Sequence, residues 1–301
     1  MRNHPGELWP MMYCAGLTPL THPQFVTRYC LTVREEVERG MWRDKVVGTK
    51  PTMVPELRQA LSSILLRRTK AEVMPEMPPI TVSEVVVEPC EVDEEVYFHS
   101  MWRARQNVAE MVKAQLEGLA SKAETDDALA RLLTDMRAKM NDTRRYIGLQ
   151  KVQGTIELAR TMLEGGVQKL VIFAWHKDVM HQIAGALKEE YGAVQVYGET
   201  PPEKRDKFVQ WFQNPTARCR VIVGQVLAAG VGYTLTAANH VLMVEPSWVP
   251  ADNMQALMRV HRIGQTKPVT AQFVMLRGNA VEQRVMQTLR RKTEDFLAVF
   301  S

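Results

Sequence analysis

From residue 150 onward, short runs of Val, Ile and Leu alternate with longer stretches whose apolar residues recur every three or four positions. The runs are Leu170 to Ala174, Val194 to Tyr197, Arg220 to Gly224, His240 to Val244 and Val269 to Leu276. A strand that is apolar at successive positions loses both faces to a core. The pattern therefore predicts an α/β unit, a parallel sheet with helices on both faces. Helices are expected at 151–164, from the first run to about Glu190, through Phe208 and Phe212, and from Asn279. Thr200-Pro201-Pro202-Glu203 has the form of a capping box with proline at the first helical position. Ligands of such sheets collect beyond the carboxyl ends of the strands.

The first 150 residues read as a mainly helical region. Short helices are expected at 3–13 and 22–30, and a longer one from Pro55 to Leu66. No strand is expected before residue 80, which leaves Leu8, Trp9, Met12, Phe25 and Tyr29 in need of a larger body to cover them. Arg67, Arg68 and Lys70 form either a solvated helix end or a charged hinge. Pro75, Pro78 and Pro79 mark a linker. Ile80 to Pro89 reads as a strand, and Val92 to Leu119 and then Leu129 to Met140 as amphipathic helices whose Met and aromatic stripes serve packing. The expected domains are 1–79, 80–150 and 151–301.

The 301 residues are 46% hydrophobic with a net charge of +4, which permits a nucleic-acid partner without requiring one. Four scattered cysteines make no Cys-x-x-Cys, so neither zinc nor a disulfide framework is indicated and reduced thiols are the default. No run approaches the ~20 apolar residues of a membrane span, and no leader pattern opens the chain. An intracellular setting is expected: the cytoplasm of a prokaryote or phage-infected cell, or a eukaryotic nucleus.

The candidate chemistry centres on Gln255-Ala256-Leu257-Met258-Arg259-Val260-His261-Arg262-Ile263-Gly264-Gln265. If this stretch is helical, Gln255, Arg259 and Arg262 share one face, and two planar guanidiniums project side by side with an amide next to them. Such forks suit a dense polyanion such as a triphosphate, although a solvated basic face is the alternative. Four loops should lie on the same sheet edge: Trp175-His176-Lys177, Gly198-Glu199-Thr200, Ala228 to Thr236 with Gly230 and Gly232, and Glu245-Pro246-Ser247-Trp248. Leu235 stands where a dinucleotide fingerprint would have its third glycine, which argues against a Rossmann site. His176 and His181 have no carboxylate or cysteine companion at ligand spacing and read as surface or capping residues. No nucleophile, metal site or general base emerges.

Taken together, these segments resemble the Swi/Snf family of superfamily-two helicase-like ATPases. Gln255 to Gln265 resembles that family's sixth motif, Ala228 to Asn239 its fifth, and Leu170 to His176 its fourth. Gly198 with Arg205 and Phe212 matches the segment between the fourth and fifth. Leu66 to Val73 is similar to the joint leading into the second lobe, and Asn3-x-Pro5-x-Glu7-Leu8-Trp9 to the residues immediately after the third motif. Glu245-x-x-Trp248 is most like the annealing-helicase branch. Departures occur at Gln225 and Val226, where the family commonly has Ser-Thr, at Thr234, where it has Asn, and at Val249-Pro250, where it usually has Asn-Pro.

The resemblance implies a RecA-like lobe in which Arg262 and Arg259 act as arginine fingers and Gln255 orients them. Gly230, Gly232 and Gln265 would border the nucleotide. His176, Lys177, Gly198, Thr236 and Trp248 would face double-stranded DNA. ATP with magnesium would be held mainly by a first RecA-like lobe. Neither a phosphate-binding Gly-x-x-x-x-Gly-Lys-Ser/Thr nor an Asp-Glu-x-His box occurs in these residues. The chain is thus expected to be half of a motor and inactive alone. The alternative is a non-catalytic DNA- or protein-binding module derived from such an ATPase.

Overall fold

The computed structural model describes residues 4–38, 41–65, 70–90, 141–227 and 233–300. The long helices expected between Val92 and Met140 lie outside them, as do Arg67, Arg68, Gly230 and Gly232. The chain divides into two compact units. One comprises Met1–Pro78, Ser247–Gln255 and Asn279–Ser301; the other comprises Pro79–Pro246 and Ala256–Gly278.

In the first unit, helices α1 (Trp9–Cys14) and α2 (His22–Tyr29) precede two antiparallel strands, β1 (Cys30–Glu38) and β2 (Met41–Thr49). Helices α3 (Val54–Ser62) and α4 (Lys70–Val73) come after them. The strand pair corrects the expectation of no strand before residue 80. Its sequence is dense in charge, which hides the β pattern, yet the register sets Arg34 opposite Asp44, a favourable cross-strand pairing. Leu8, Met12, Phe25 and Tyr29 bury themselves with Leu57 and Leu61 of α3. Arg28 fixes α2 to α3 with a two-pronged bond to Glu56, at 2.9 and 2.8 Å. Helix α3 ends at Ser62 rather than Leu66.

The second unit holds a six-stranded parallel sheet of order β3-β8-β7-β4-β6-β5. Its strands are β3 (Ile80–Val87), β4 (Leu170–Ala174), β5 (Val194–Val196), β6 (Val221–Gln225), β7 (His240–Met243) and β8 (Val269–Leu276). Residues 141–150 form helix α5, followed by α6 (Val152–Glu164), α7 (Lys177–Tyr191) and α8 (Pro202–Gln213). Helix α9 (Pro250–Leu257) comes next, and α10 (Ala280–Phe300) packs on α3 in the first unit. Leu170, Ile172 and Ala174 of β4 face Ile156 and Leu163 of α6 and Ile183 and Leu187 of α7. The intervening Val171 and Phe173 are buried as well, so both faces of the central strand are covered.

Helix boundaries obey local chemistry. Gly192, at φ 63°, ends α7 in the left-handed cap that glycine adopts without strain. The expected capping box at Thr200 does not form, because its hydroxyl accepts from the Tyr197 amide at 3.0 Å and Pro201 takes the cap position. Among the described residues no helix is long and apolar enough to cross a membrane.

Candidate functional site

At the carboxyl edge of the sheet, the ends of β4 and β7 meet α5 around one buried carboxylate. Glu245 is 2% exposed. Its Oε2 accepts from the backbone N–H groups of Trp175 and His176, at 3.0 and 2.9 Å, and its Oε1 lies 2.6 Å from His176 Nδ1. The other ring nitrogen of His176 is 3.1 Å from Asn141 Oδ1. Arg144 stacks its guanidinium over the Trp175 ring at 4.1 Å and donates to the carbonyl of Pro246 at 2.5 Å. Burial lowers the Arg144 pKa to about 10, against the pull of Glu245, so the guanidinium stays charged at neutral pH. A side chain at Gly148 would run into the Glu245 carboxylate, which is why α5 can lie so close. Buried Lys151 donates to the carbonyls of Val244 and Val274, joining the ends of adjacent strands.

This network corrects two expectations. His176 does have a carboxylate companion, 69 residues further along the chain. Its side chain is only 10% exposed, with both ring nitrogens engaged, so it positions the loop rather than reaching a DNA phosphate. Lys177 is the exposed member of that loop and pairs with Glu199 at 2.6 Å. Gln225 ties neighbouring loops together, donating to Trp175 O at 3.1 Å and accepting from Gly198 N at 3.2 Å. A Cβ at Gly198 would meet nothing closer than 3.8 Å, so packing within the chain does not demand glycine there.

The arginine-bearing segment differs from its expected form. Helix α9 stops at Leu257, and Arg259 and Arg262 sit in successive tight turns rather than on a shared helical face with Gln255. Beyond Leu257 the segment does not resume a helix, and the Arg259 carbonyl is bonded from outside it. Leu235 N donates to Arg259 O at 2.8 Å, occupying the acceptor that Ile263 N–H would need. Gln265 completes a clasp: its Nε2 reaches Ala238 O at 2.7 Å, Val260 O at 3.2 Å and Thr236 O at 3.3 Å, while its Oε1 accepts from Thr266 N and Lys267 N. Gln265 is 7% exposed with its amide committed to this bonding, so it shapes the site and is not placed to bind nucleotide. Gly264, at φ 95°, makes the turn into it.

From the other side Gln213 holds the same segment, donating to Thr236 Oγ1 at 3.2 Å and accepting from Ala237 N at 2.9 Å. Among the described residues, the buried Nη1 of Arg262 and the hydroxyl of Tyr233 have no hydrogen-bond partner. Burial pushes the Tyr233 pKa up to about 12, with Arg259 and Arg205 near enough to pull it back. In the first unit, Gln255 is exposed. Trp248 comes after Ser247, whose backbone is bracketed by the Asn253 amide at 2.7 and 2.8 Å, and its carbonyl accepts from Lys292 at 3.4 Å.

Sequence reading missed Glu245 as the hub, together with Asn141, Arg144, Gln213 and the clasp role of Gln265. The acidic-x-x-Trp spacing at 245–248 carried the signal for Glu245. Nothing local announces Asn141 or Arg144, whose partners are about a hundred residues away for Arg144 and 35 for Asn141.

The fold is thus an α/β lobe whose parallel sheet clamps an arginine turn to the segment after β6. Residues 151–264 match the helicase conserved C-terminal domain. The SWI/SNF-related matrix-associated actin-dependent regulator of chromatin subfamily A-like protein 1 of Xenopus laevis is 29% identical over 283 residues, covering 92% of this chain and 26% of that protein. The DNA annealing helicase and endonuclease ZRANB3 of Mus musculus is 25% identical over 276 residues, covering 90% and 23%. A crystal structure of the C-terminal part of the Fun30 ATPase domain superposes with a TM-score of 0.49 at 16% identity, covering 71% of this chain and 90% of that one. Residues 151–264 thus carry a helicase conserved C-terminal domain, and over most of its length the chain is similar to SWI/SNF-related proteins. It spans about a quarter of the length of the curated relatives it matches.

Proposed function

We propose that this chain supplies the C-terminal motor lobe of an ATP-dependent DNA translocase, with Arg262 and Arg259 as its arginine fingers. The observation that carries the reading is the Arg262 Nη1, a buried donor without a partner among the described residues, on a turn that Gln265 holds to residues 235–238. A planar, permanently charged donor fits phosphate oxygens. Bound ATP would supply the phosphoryl group for transfer. Arg262 would hold the charge that builds on that group, and Arg259 would add field strength beside it, a contribution made by electrostatics and positioning. Magnesium and the main phosphate cradle are assigned to a first RecA-like lobe, with residues 1–79 as the tail of that lobe and its linker.

Lys177, Gly198, Thr236 and Trp248 are assigned to the DNA-facing surface, with His176 positioning Lys177 from beneath. One of the relatives is a DNA annealing helicase, which supports duplex DNA as the track. Contacts would go mainly to phosphates, so binding should be sequence-independent and weaken steeply with salt. Residues 1–301 alone should not hydrolyse ATP.

The test is to fuse the chain to a first lobe from a Swi/Snf relative and measure phosphate release with and without duplex DNA. Arg262→Ala should lower the DNA-stimulated rate by about 10³-fold, with Arg259→Ala lowering it less. Unchanged rates in both variants would remove the fingers from this reading.

A further inference from the structure

Beside the edge strand β5 lies a groove of about 600 Å³, bounded by α7 on one side and α8 on the other. It lies away from the arginine turn and has no part in the function proposed above. Its wall on α8 carries Phe208 and Trp211, the latter 42% exposed, and its floor includes Val194 and Tyr197. Three cations, Lys188, Lys204 and Arg218, line it against a single carboxylate, Glu189. Arg218 donates to the Glu189 carbonyl, which fixes that side of the rim.

Gly185 lies in the interior of α7 and lines the groove, and a Cβ there would meet nothing within 4 Å. Glycine is disfavoured in a helix interior, and here it leaves that wall of the groove without a side chain. The side-chain oxygen of Gln195, in the middle of β5, is buried with no hydrogen-bond partner among the described residues and is an acceptor for an N–H group.

We infer that this groove is a docking site for an extended acidic peptide segment of a partner protein, with a bulky apolar residue seated over Gly185. The cations meet the acidic side chains, Phe208 and Trp211 clasp the anchor, and Gln195 accepts from the peptide backbone. Recognition alongside an edge strand by alternating pockets is an established way of binding extended peptides. Nucleic acid fits less well. The lining is mainly carbon, and Glu189 would oppose a backbone that bears a charge at every nucleotide.

The experiment selects a random 12-residue phage-displayed library on the immobilised 301-residue chain. The enriched consensus is then synthesised and measured by fluorescence anisotropy. The expected consensus combines Asp or Glu with Trp, Phe or Leu. Its affinity should fall by about tenfold or more both in Gly185→Leu, which fills the slot, and in Lys188→Glu/Lys204→Glu, which leaves the helices intact. Circular dichroism and thermal melts establish that both variants fold. Failure to enrich acidic sequences, or binding indifferent to both variants, overturns the proposal. So does a labelled 20-nucleotide single strand whose binding is lost on the same substitutions while the peptide's is not.

Discussion

Replacing Gln265 with alanine should loosen the arginine turn without touching either arginine. The carboxamide has two hydrogens for the carbonyls of Thr236, Ala238 and Val260, and the shortest bond, 2.7 Å, goes to Ala238. With the side chain removed, about two buried carbonyls lose their donor, at roughly 1 to 3 kcal/mol each, partly recovered by water. The Thr266 and Lys267 amides are at exposed residues and can turn to solvent. The net loss is about 2 to 4 kcal/mol, or roughly 4 to 16 °C in the melting temperature of a domain this size. The local readout is hydrogen exchange at the Leu235 amide, which donates to Arg259 O across the clasp and should exchange markedly faster in the variant. Gln265→Glu is the companion. It keeps an acceptor for Thr266 and Lys267 but sets a carboxylate against carbonyl oxygens, and should be at least as damaging. If Gln265→Ala melts within about 0.5 kcal/mol of the parent and protection at Leu235 is unchanged, the clasp does not hold the turn.

Substitutions at four other positions probe the frame. Glu245→Leu strands the amides of Trp175 and His176 in a buried setting and should cost about 3 to 5 kcal/mol in urea denaturation, with Glu245→Gln costing much less because one acceptor oxygen survives. Gly192→Ala places a Cβ 2.8 Å from Arg218 O at a left-handed φ and should destabilise by about 1 to 2 kcal/mol, whereas Gly185→Ala, in open space within α7, should stabilise by about 0.5 to 1 kcal/mol. Burial, reinforced by Lys267, lowers the His240 pKa below its ordinary 6.5. The unfolded chain therefore takes up the proton first, and stability should fall as pH drops through 6.5 toward the folded value. In His240→Gln that slope in thermal melts should flatten, leaving the contribution of His4, which burial shifts the same way.

The sheet was legible because burial on both faces leaves a run of Val, Ile and Leu that few other elements produce, and the strands at Leu170–Ala174 and Val269–Leu276 appear where those runs lie. The pair β1 and β2 was not, since a two-stranded ribbon whose exposed faces carry Arg34, Lys45 and Asp44 shows no apolar alternation to read. Around the site, sequence spacing found Arg259, Arg262 and Gln265 but misjudged what holds them. Helical periodicity assumes that each carbonyl bonds four residues ahead. At Arg259 the acceptor is claimed by Leu235, which no local window contains. Glu245 and His176 were both noticed, yet their pairing depends on β4 and β7 lying side by side, a property of the strand order rather than of either stretch.

The early end of α9 has a mechanical consequence. Had the helix run on through Gln265, its own hydrogen bonds would fix the two arginines and leave them indifferent to the segment after β6. Instead the backbone of Arg259 hangs on Leu235, and Val260 on Gln265, which also grips Thr236 and Ala238. The opposite side of that segment is held by Gln213 at the end of α8. A displacement of residues 235–238 must therefore either carry the arginine turn with it or break bonds made by buried groups, which costs several kcal/mol. In a lobe proposed to couple a nucleotide to a DNA track, Thr236 is the residue assigned to the track and Arg262 the one assigned to the nucleotide. Gln265 makes the two a single body.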